Sequence, residues 1–455
     1  MSPANILLIN LFYLVMYKKL LPVNMEGTVK SHLKQMIAKG NTIELLNFFK
    51  KHQHDLFTPI SLRKFQALIE KIKQNNEAHR RARHPDKLKP SYVGPLGELV
   101  DLVEAMDEIK LQNFYTPIEK EGNDTTLEQK ITALGLWDSL VTCAREAAVA
   151  SGITAMAFYN GSWSPTKDVG PHLGNSSTNA DVAATVSLLR AVDAKLPQIC
   201  RQLGCEDLQY FAEETSSPTK SMVEKQVGPS LKSRIKGERE FFSPKTNTIR
   251  VIADAIDGTG NFKKGFPIFC SAVAIIVNNT PRVSAIYDPV QHIVYTGLLA
   301  GIPKERDPLN TANKWHVSIG LKIPVLPIAG NRRLSEEHVG IHFTRSKHNE
   351  QSLKEMIGLI EHLVAASSGV YAVNSGVFSL AEVARGALGG FINNKTNPWD
   401  VTAGEVLIKA TGGQVTDFGQ KPIDYTRPGP VSVIAAPNRQ LYDELWQIVE
   451  RKTAR

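Results

Sequence analysis

Between residues 26 and 121 the apolar side chains recur at three- and four-residue steps: Leu33, Met36 and Ile37, then Ile43, Leu45, Leu46 and Phe49, then Phe65, Leu68, Ile69 and Ile72. That period predicts helices with one apolar stripe, started by Asn41-Thr42 and Ser61 as N-caps. Leu99, Leu102, Val103, Met106 and Ile109 continue it, and the polar stretch 119–126 then breaks it. We take that break as a domain boundary: an N-terminal helical extension over 1–124 and a body over 125–455. The body opens with an Ala- and Leu-rich helix over 127–159, interrupted by Gly135 and Gly152. A mobile loop rich in Gly, Ser and Pro follows over 160–175. Thr178-Asn179 then cap a helix whose apolar face is Val182, Val186, Leu189, Val192 and Leu196.

The period changes to two at residue 249. Ile249, Val251 and Ala253 alternate with Arg250, Ile252 and Asp254, which predicts a strand with one buried face that ends at Asp254. Apolar runs over 269–277, 283–287 and 292–298 are separated by Asn278-Asn279-Thr280-Pro281 and Asp288-Pro289, turn signals that predict an antiparallel meander. A strand over 338–345, helices over 351–366 and 376–386, and a helix over 401–411 stopped by Gly412-Gly413 complete the body. Helix pairs alternating with largely antiparallel sheets predict an α+β fold, a layered sandwich.

Composition narrows this little. Hydrophobic residues at 42% and charged residues at 22% of 455 are ordinary for a globular chain. The apolar run 6–16 is shorter than the roughly 20 residues a membrane span needs, and Lys18-Lys19 follow it rather than precede it. The readings rank as a true start at Met25, so that 1–24 is not part of the protein, then an interfacial or partner-docking helix, then an anchor; stable membrane insertion is not expected. The net charge of +8 suits anionic partners in general. The basic run His79-Arg80-Arg81-Ala82-Arg83-His84 has no interleaved aromatic residues, so it reads as a solvated face and not a nucleic-acid site. Cys143, Cys200, Cys205 and Cys270 lack metal-ligand spacing and predict free, mostly buried thiols in a reducing, cytoplasmic setting.

The chemistry concentrates in Asp254-Ala255-Ile256-Asp257-Gly258-Thr259-Gly260-Asn261-Phe262. Two carboxylates and a run of backbone amides at one sharp turn suit Mg²⁺ together with a phosphate, the cation taking carboxylate oxygens and the amides taking phosphate oxygens. Spacing alone leaves a solvated turn equally open. Three further pieces change the balance: Thr178-Asn179-Ala180-Asp181, Glu213-Glu214, and Trp399-Asp400-Val401-Thr402-Ala403-Gly404. In this order and spacing the four motifs resemble the inositol monophosphatase superfamily of lithium-sensitive, magnesium-dependent phosphatases, over about residues 128–450.

The resemblance implies an α-β-α-β-α layering and a phosphatase site. It implies Glu213, Asp254, the Ile256 carbonyl, Asp257 and Asp400 as Mg²⁺ ligands, and Asp181 with the Thr259 hydroxyl as the pair that orients and deprotonates water. The Gly258 and Thr259 amides would hold phosphate, and Lys167 would be the lysine of a loop that folds over the metals. The chain departs from the family pattern at Ala255 (for Pro), Ala212 (for Gly) and Asn393, which stands where a glutamate binds inositol hydroxyls. Residues 344–348 and 421–426 resemble bisphosphate nucleotidases of the same superfamily. Three functions follow for test: a Mg²⁺-dependent phosphomonoesterase for a small polyol or sugar phosphate, a 3′(2′),5′-bisphosphate nucleotidase, and a catalytically dead relative that binds a partner. The oligomeric state stays open between monomer and homodimer.

Overall fold

The computed structural model describes residues 126–159, 161, 163–166, 177–216, 219–300, 310–318, 320–325, 331–342 and 350–453. The N-terminal extension, the alternative starts, most of the loop over 160–175 including Lys167, and the segment 344–348 lie outside the described residues.

The predicted first helix is two helices, α1 (Leu127–Ala133) and α2 (Trp137–Met156). Gly135 separates them in a left-handed conformation, φ +64°. Gly152 does not break α2; it lies where a Cβ would come 2.4 Å from the Tyr287 ring, so its lack of a side chain sets how closely the helix approaches the sheet. Helices α3 (Asn179–Asp193) and α4 (Leu196–Leu203) follow. Gly204, φ +64°, ends α4 and turns the chain back, so that the Cys205 amide donates to the Cys200 carbonyl at 3.0 Å. This turn brings the two Cα atoms to 5.0 Å and the structure joins Cys200 to Cys205 in a disulfide. The expectation of four free thiols is therefore corrected: Cys143 and Cys270 are free and buried, and the other two no longer support a reducing compartment.

Seven strands form the first sheet in sequential order: β1 (Asp207–Ala212), β2 (Thr248–Asp257), β3 (Cys270–Val277), β4 (Thr280–Asp288), β5 (Ile293–Leu299), β6 (Asn310–His316) and β7 (Leu321–Pro324). The predicted meander is β3 to β5, and β2, β6 and β7 extend it antiparallel on either side, whereas β1 pairs parallel to β2. The predicted end of β2 at Asp254 and its single buried face both need correction. The strand runs on to Asp257 and every residue in it is buried, because helices cover both faces of the sheet. Val251 and Ala253 face α2 and α3 in one apolar cluster, and Ile252 faces the opposite way in another.

The second sheet holds β8 (His338–Ile341), β9 (Gly369–Tyr371), β10 (Gly390–Thr396), β11 (Gln414–Thr416) and β12 (Val431–Ala436), in the order β11-β12-β10-β8-β9. Here β8, β9 and β10 are parallel, against the antiparallel expectation. Between the sheets lie α6 (Gly376–Ala384) and α7 (Thr402–Ala410), and the outer face is covered by α5 (Glu350–Ala366) and α8 (Arg439–Thr453). Alternation along the strands sorts the layers. Phe391, Val433 and Ala435 pack with Leu380 and Leu407 between the sheets, whereas Ile392 and Ile434 pack with Leu359 and Leu445 outside. Each fully buried side chain of this size contributes roughly 1.5–3 kcal/mol. The result is the α-β-α-β-α sandwich. No described helix is long and apolar enough to cross a membrane.

Candidate active site

Parallel pairing of β1 with β2 sets Ala212 opposite Ala253, so the next residues, Glu213 and Asp254, stand side by side. Asp400 arrives from the short turn Pro398–Asp400 that precedes α7. Ligand oxygens of Glu213, Asp254 and Asp400 all lie within 4.8 Å of one another. Asp254 is 2% exposed and Asp400 5%. Burial first, and then the charges of Glu213, Asp257, Asp400 and Asp181, push the Asp254 carboxyl well above the usual carboxylate range. The strongest electrostatic influences on this residue are thus four other acids. A divalent cation reverses that repulsion, and a donor set of carboxylate oxygens without His or Cys fits a hard ion such as Mg²⁺.

Beyond Asp254 the strand bulges, with no ladder pair between Asp254 and Asp257. Asp254 Oδ1 accepts the Ile256 amide at 3.0 Å, and the Ala255 carbonyl accepts the Ser271 hydroxyl at 2.6 Å and the Ser151 hydroxyl at 3.2 Å. Ala255 therefore has its conformation fixed by neighbours where the family uses a proline. Gly258 follows at φ +90°, where an added Cβ would come 3.0 Å from the Ile268 carbonyl oxygen, so only glycine makes this turn without strain. It caps the short helix Thr259–Lys263.

That helix aims Thr259 at Asp181. The Thr259 hydroxyl lies 3.0 Å from Asp181 Oδ1 and 3.0 Å from the Ile256 carbonyl, joining residues 78 apart in sequence. Asp181 sits in the first turn of α3, where its Oδ2 accepts the Thr178 amide at 2.7 Å and also the Thr178 hydroxyl. Burial raises its carboxyl, and the hydrogen bonds from Thr178 and Thr259 oppose that rise. The helix cap orients the second oxygen, leaving Oδ1 toward Thr259.

Asp257 is placed differently from the other acids. It is not in the three-acid group; its carboxylate caps α6. Oδ2 accepts the Ser375 hydroxyl, the Val377 amide at 2.9 Å and the Phe378 amide at 3.2 Å, and Oδ1 accepts the Gly376 amide at 3.2 Å. Burial and then the Asp400 charge push it up to about 6, against these bonds. Asn393, on β10, is 2% exposed and its Oδ1 accepts the Lys395 amide at 3.0 Å across a bulge. Residues 421–426 anchor the core: Tyr425 is buried with its hydroxyl on Glu405, and its carbonyl accepts from Arg250 at 3.3 Å.

Two neighbours of the site were not singled out by the sequence. Glu214 is buried, accepts the Ser177 hydroxyl at 2.7 Å, and is pushed up to about 7 by burial and then by Asp181. The adjacent acids in Glu213-Glu214 were its only signal. Ser375 left none, because its partner Asp257 lies 118 residues earlier.

These features define a layered α-β-α-β-α fold with a clustered acidic centre. The chain belongs to the inositol monophosphatase family, whose model matches residues 155–454. It is 25% identical over 195 residues to an inositol-1-monophosphatase of Synechocystis, a match that covers 43% of this chain and 60% of that relative. It is 23% identical over 248 residues to a fructose-1,6-bisphosphatase/inositol-1-monophosphatase of Aquifex aeolicus, covering 54% of this chain and 84% of that one. Nus factor SuhB of Haemophilus influenzae is 27% identical over 204 residues, covering 45% and 68%. Among solved structures, an inositol monophosphatase from Anabaena aligns over 69% of this chain and 96% of its own at 20% identity and TM-score 0.48.

Proposed function

We propose that this chain is a Mg²⁺-dependent phosphomonoesterase acting on a small phosphorylated substrate. The observation that carries the proposal is the convergence of Glu213, Asp254 and Asp400 within 4.8 Å, beside the hydrogen-bonded pair Asp181 and Thr259. In this reading Glu213, Asp254 and Asp400 hold the metal, with the Ile256 carbonyl and Asp257 as further ligands. Asp257 would offer Oδ1, which bears a single amide bond, while Oδ2 stays on the α6 terminus. Bound there, Mg²⁺ supplies a lowered water pKa and charge neutralisation for the phosphoryl oxygens.

The chain's own groups do the rest. Asp181 Oδ1 and the Thr259 hydroxyl hold the attacking water, and Asp181 takes its proton. Gly258 and Thr259 present their amides to the phosphate at the turn, and Asn393 stands toward the alcohol. Competition by Li⁺ for the same oxygen ligands gives the lithium sensitivity that the family resemblance implies.

The test is phosphate release from inositol 1-phosphate, fructose 1,6-bisphosphate and 3′-phosphoadenosine 5′-phosphate with Mg²⁺, with chelator and with Li⁺. Release from at least one that requires Mg²⁺ and falls in Glu213→Gln supports the proposal. No release from any of the three, or release that survives chelation, overturns it.

A further inference from the structure

Asp181 is oriented by Thr178, and Thr178 is itself held from outside α3. The Thr178 amide and hydroxyl both donate to Asp181 Oδ2, so the placing of residue 178 sets the direction of Asp181 Oδ1. Two short stretches close on each other at this point. The Thr166 amide and hydroxyl donate to the Ser177 carbonyl at 3.1 Å and 2.9 Å. The Ser164 amide donates to Asn179 Oδ1 at 2.7 Å, and its carbonyl accepts the Asn179 amide at 2.9 Å. Pro165 and Thr178 form an antiparallel bridge between them. So short a pair of strands is at best marginally stable by itself and needs an attachment to the body.

Ser177 supplies that attachment. Its hydroxyl donates to Glu214 Oε2 at 2.7 Å, across 37 residues of sequence. Glu214 is buried, and a carboxylate withdrawn from water depends on the donors that the fold gives it, so losing one is costly. Glu214 is fixed in its turn: its carbonyl accepts the Thr219 hydroxyl at 3.0 Å, and the Thr215 hydroxyl accepts the Ala212 amide and donates to the Ala212 carbonyl, both at 2.8 Å. Between Ala212 and Glu214 stands Glu213. A continuous path of bonds therefore runs from the turn that carries Glu213, through Glu214 and Ser177, to Thr178, Asp181 and the Thr259 hydroxyl.

We propose that Ser177 is a positioning residue for the water-orienting pair Asp181 and Thr259: by joining Glu214 to the Thr178 cap, it fixes Asp181 Oδ1 relative to the acids grouped around Glu213. This rests on the phosphatase reading above and adds a residue to the machinery of that site. Ser177 acts through Thr178 and not on the reacting atoms. Its removal therefore slows the chemical step while leaving substrate and metal binding in place.

The test is steady-state kinetics of the full chain on whichever of the substrates named above it hydrolyses. Ser177→Ala should lower kcat about tenfold, because a misplacement of about 1 Å costs up to roughly a hundredfold and this one is partial. KM and the Mg²⁺ concentration for half-activation should stay near their wild-type values. Ser177→Thr keeps the hydroxyl and should restore most of kcat. In an Asp181→Asn background Ser177→Ala should cost nothing further, since residues that act as one unit are not additive. Wild-type kcat in Ser177→Ala, the same loss repeated on top of Asp181→Asn, or a Ser177→Thr rate no better than that of Ser177→Ala overturns the proposal. Failure of the phosphatase reading looks different, as no Mg²⁺-dependent release from any of the substrates by the wild type. In that event hydrogen exchange at the Thr178 amide of metal-free protein still reads the attachment: exchange about tenfold faster in Ser177→Ala than in wild type and Ser177→Thr supports it, and equal rates overturn it.

Discussion

Replacing Asp257 by Asn tests the most particular feature of the site, a carboxylate that serves a helix terminus and is also proposed as a metal ligand. In the wild type it accepts three amides and one hydroxyl at the start of α6. Asn keeps one acceptor oxygen, which can stay on Ser375, Val377 and Phe378. The other atom becomes an NH₂ facing the Gly376 N–H, leaving a buried donor unmatched at roughly 1–3 kcal/mol. Loss of the negative charge at a helix N-terminus adds up to about 2 kcal/mol in a buried setting. Relief of repulsion from Asp400 offsets part of this, so the expected loss is about 2–4 kcal/mol in metal-free protein. Asp254→Asn is the contrast: it removes repulsion from four other acids and should leave metal-free stability unchanged or raised. The assay is urea denaturation in chelator at pH 7.5, above the value of about 6 for Asp257. If Asp257→Asn unfolds at the wild-type midpoint, the carboxylate does not hold α6 and the site geometry argued above is wrong.

Asp181→Asn should lower turnover by roughly a hundredfold or more, the usual share of a general base, while the Mg²⁺ concentration for half-activation moves little; an unchanged rate would return Asp181 to a helix-capping role. Gly258→Ala should cost about 1–2 kcal/mol for the left-handed conformation, plus the 3.0 Å approach to the Ile268 carbonyl, and should depress turnover by moving Thr259; wild-type melting and activity would refute the turn. Thiol labelling in denaturant without reductant should count two thiols, Cys143 and Cys270, rising to four after reduction; four from the start would refute the Cys200 to Cys205 link.

The sequence was most informative where local pattern and packing agree. Thr178 capping a helix that carries Asp181 was legible, because a cap and its first turn are decided within four residues. The meander was legible for the same reason, its turns being written in Asn278-Asn279 and Asp288-Pro289. The continuation of β2 to Asp257 was not. Polar side chains at Arg250 and Asp254 read as a solvent face, but Arg250 is fully buried with its guanidinium on the carbonyls of Phe241, Asn278 and Tyr425. Nothing local announces a partner 175 residues away. The parallel strands of the second sheet escaped for a similar reason, since short apolar runs give a period but no direction. Among the candidate site residues, the motifs singled out Glu213, Asp254 and Asp400, which the structure brings together; they did not predict that Asp257 would cap α6.

The Asp257 bonds to α6 also set when this site can exist. Asp257 of β2 and the helix it caps are more than a hundred residues apart, and Asp400 comes later still. As the chain leaves the ribosome, Asp181, Glu213, Asp254 and Asp257 are made first, and Asp400, whose charge adds to the repulsion on Asp254 and Asp257, joins them last. Contacts of such sequence separation form slowly. The acidic cluster is therefore a late checkpoint of synthesis, assembled only when both sheets have met. A truncated or stalled chain carries most of the acids without the cluster they form.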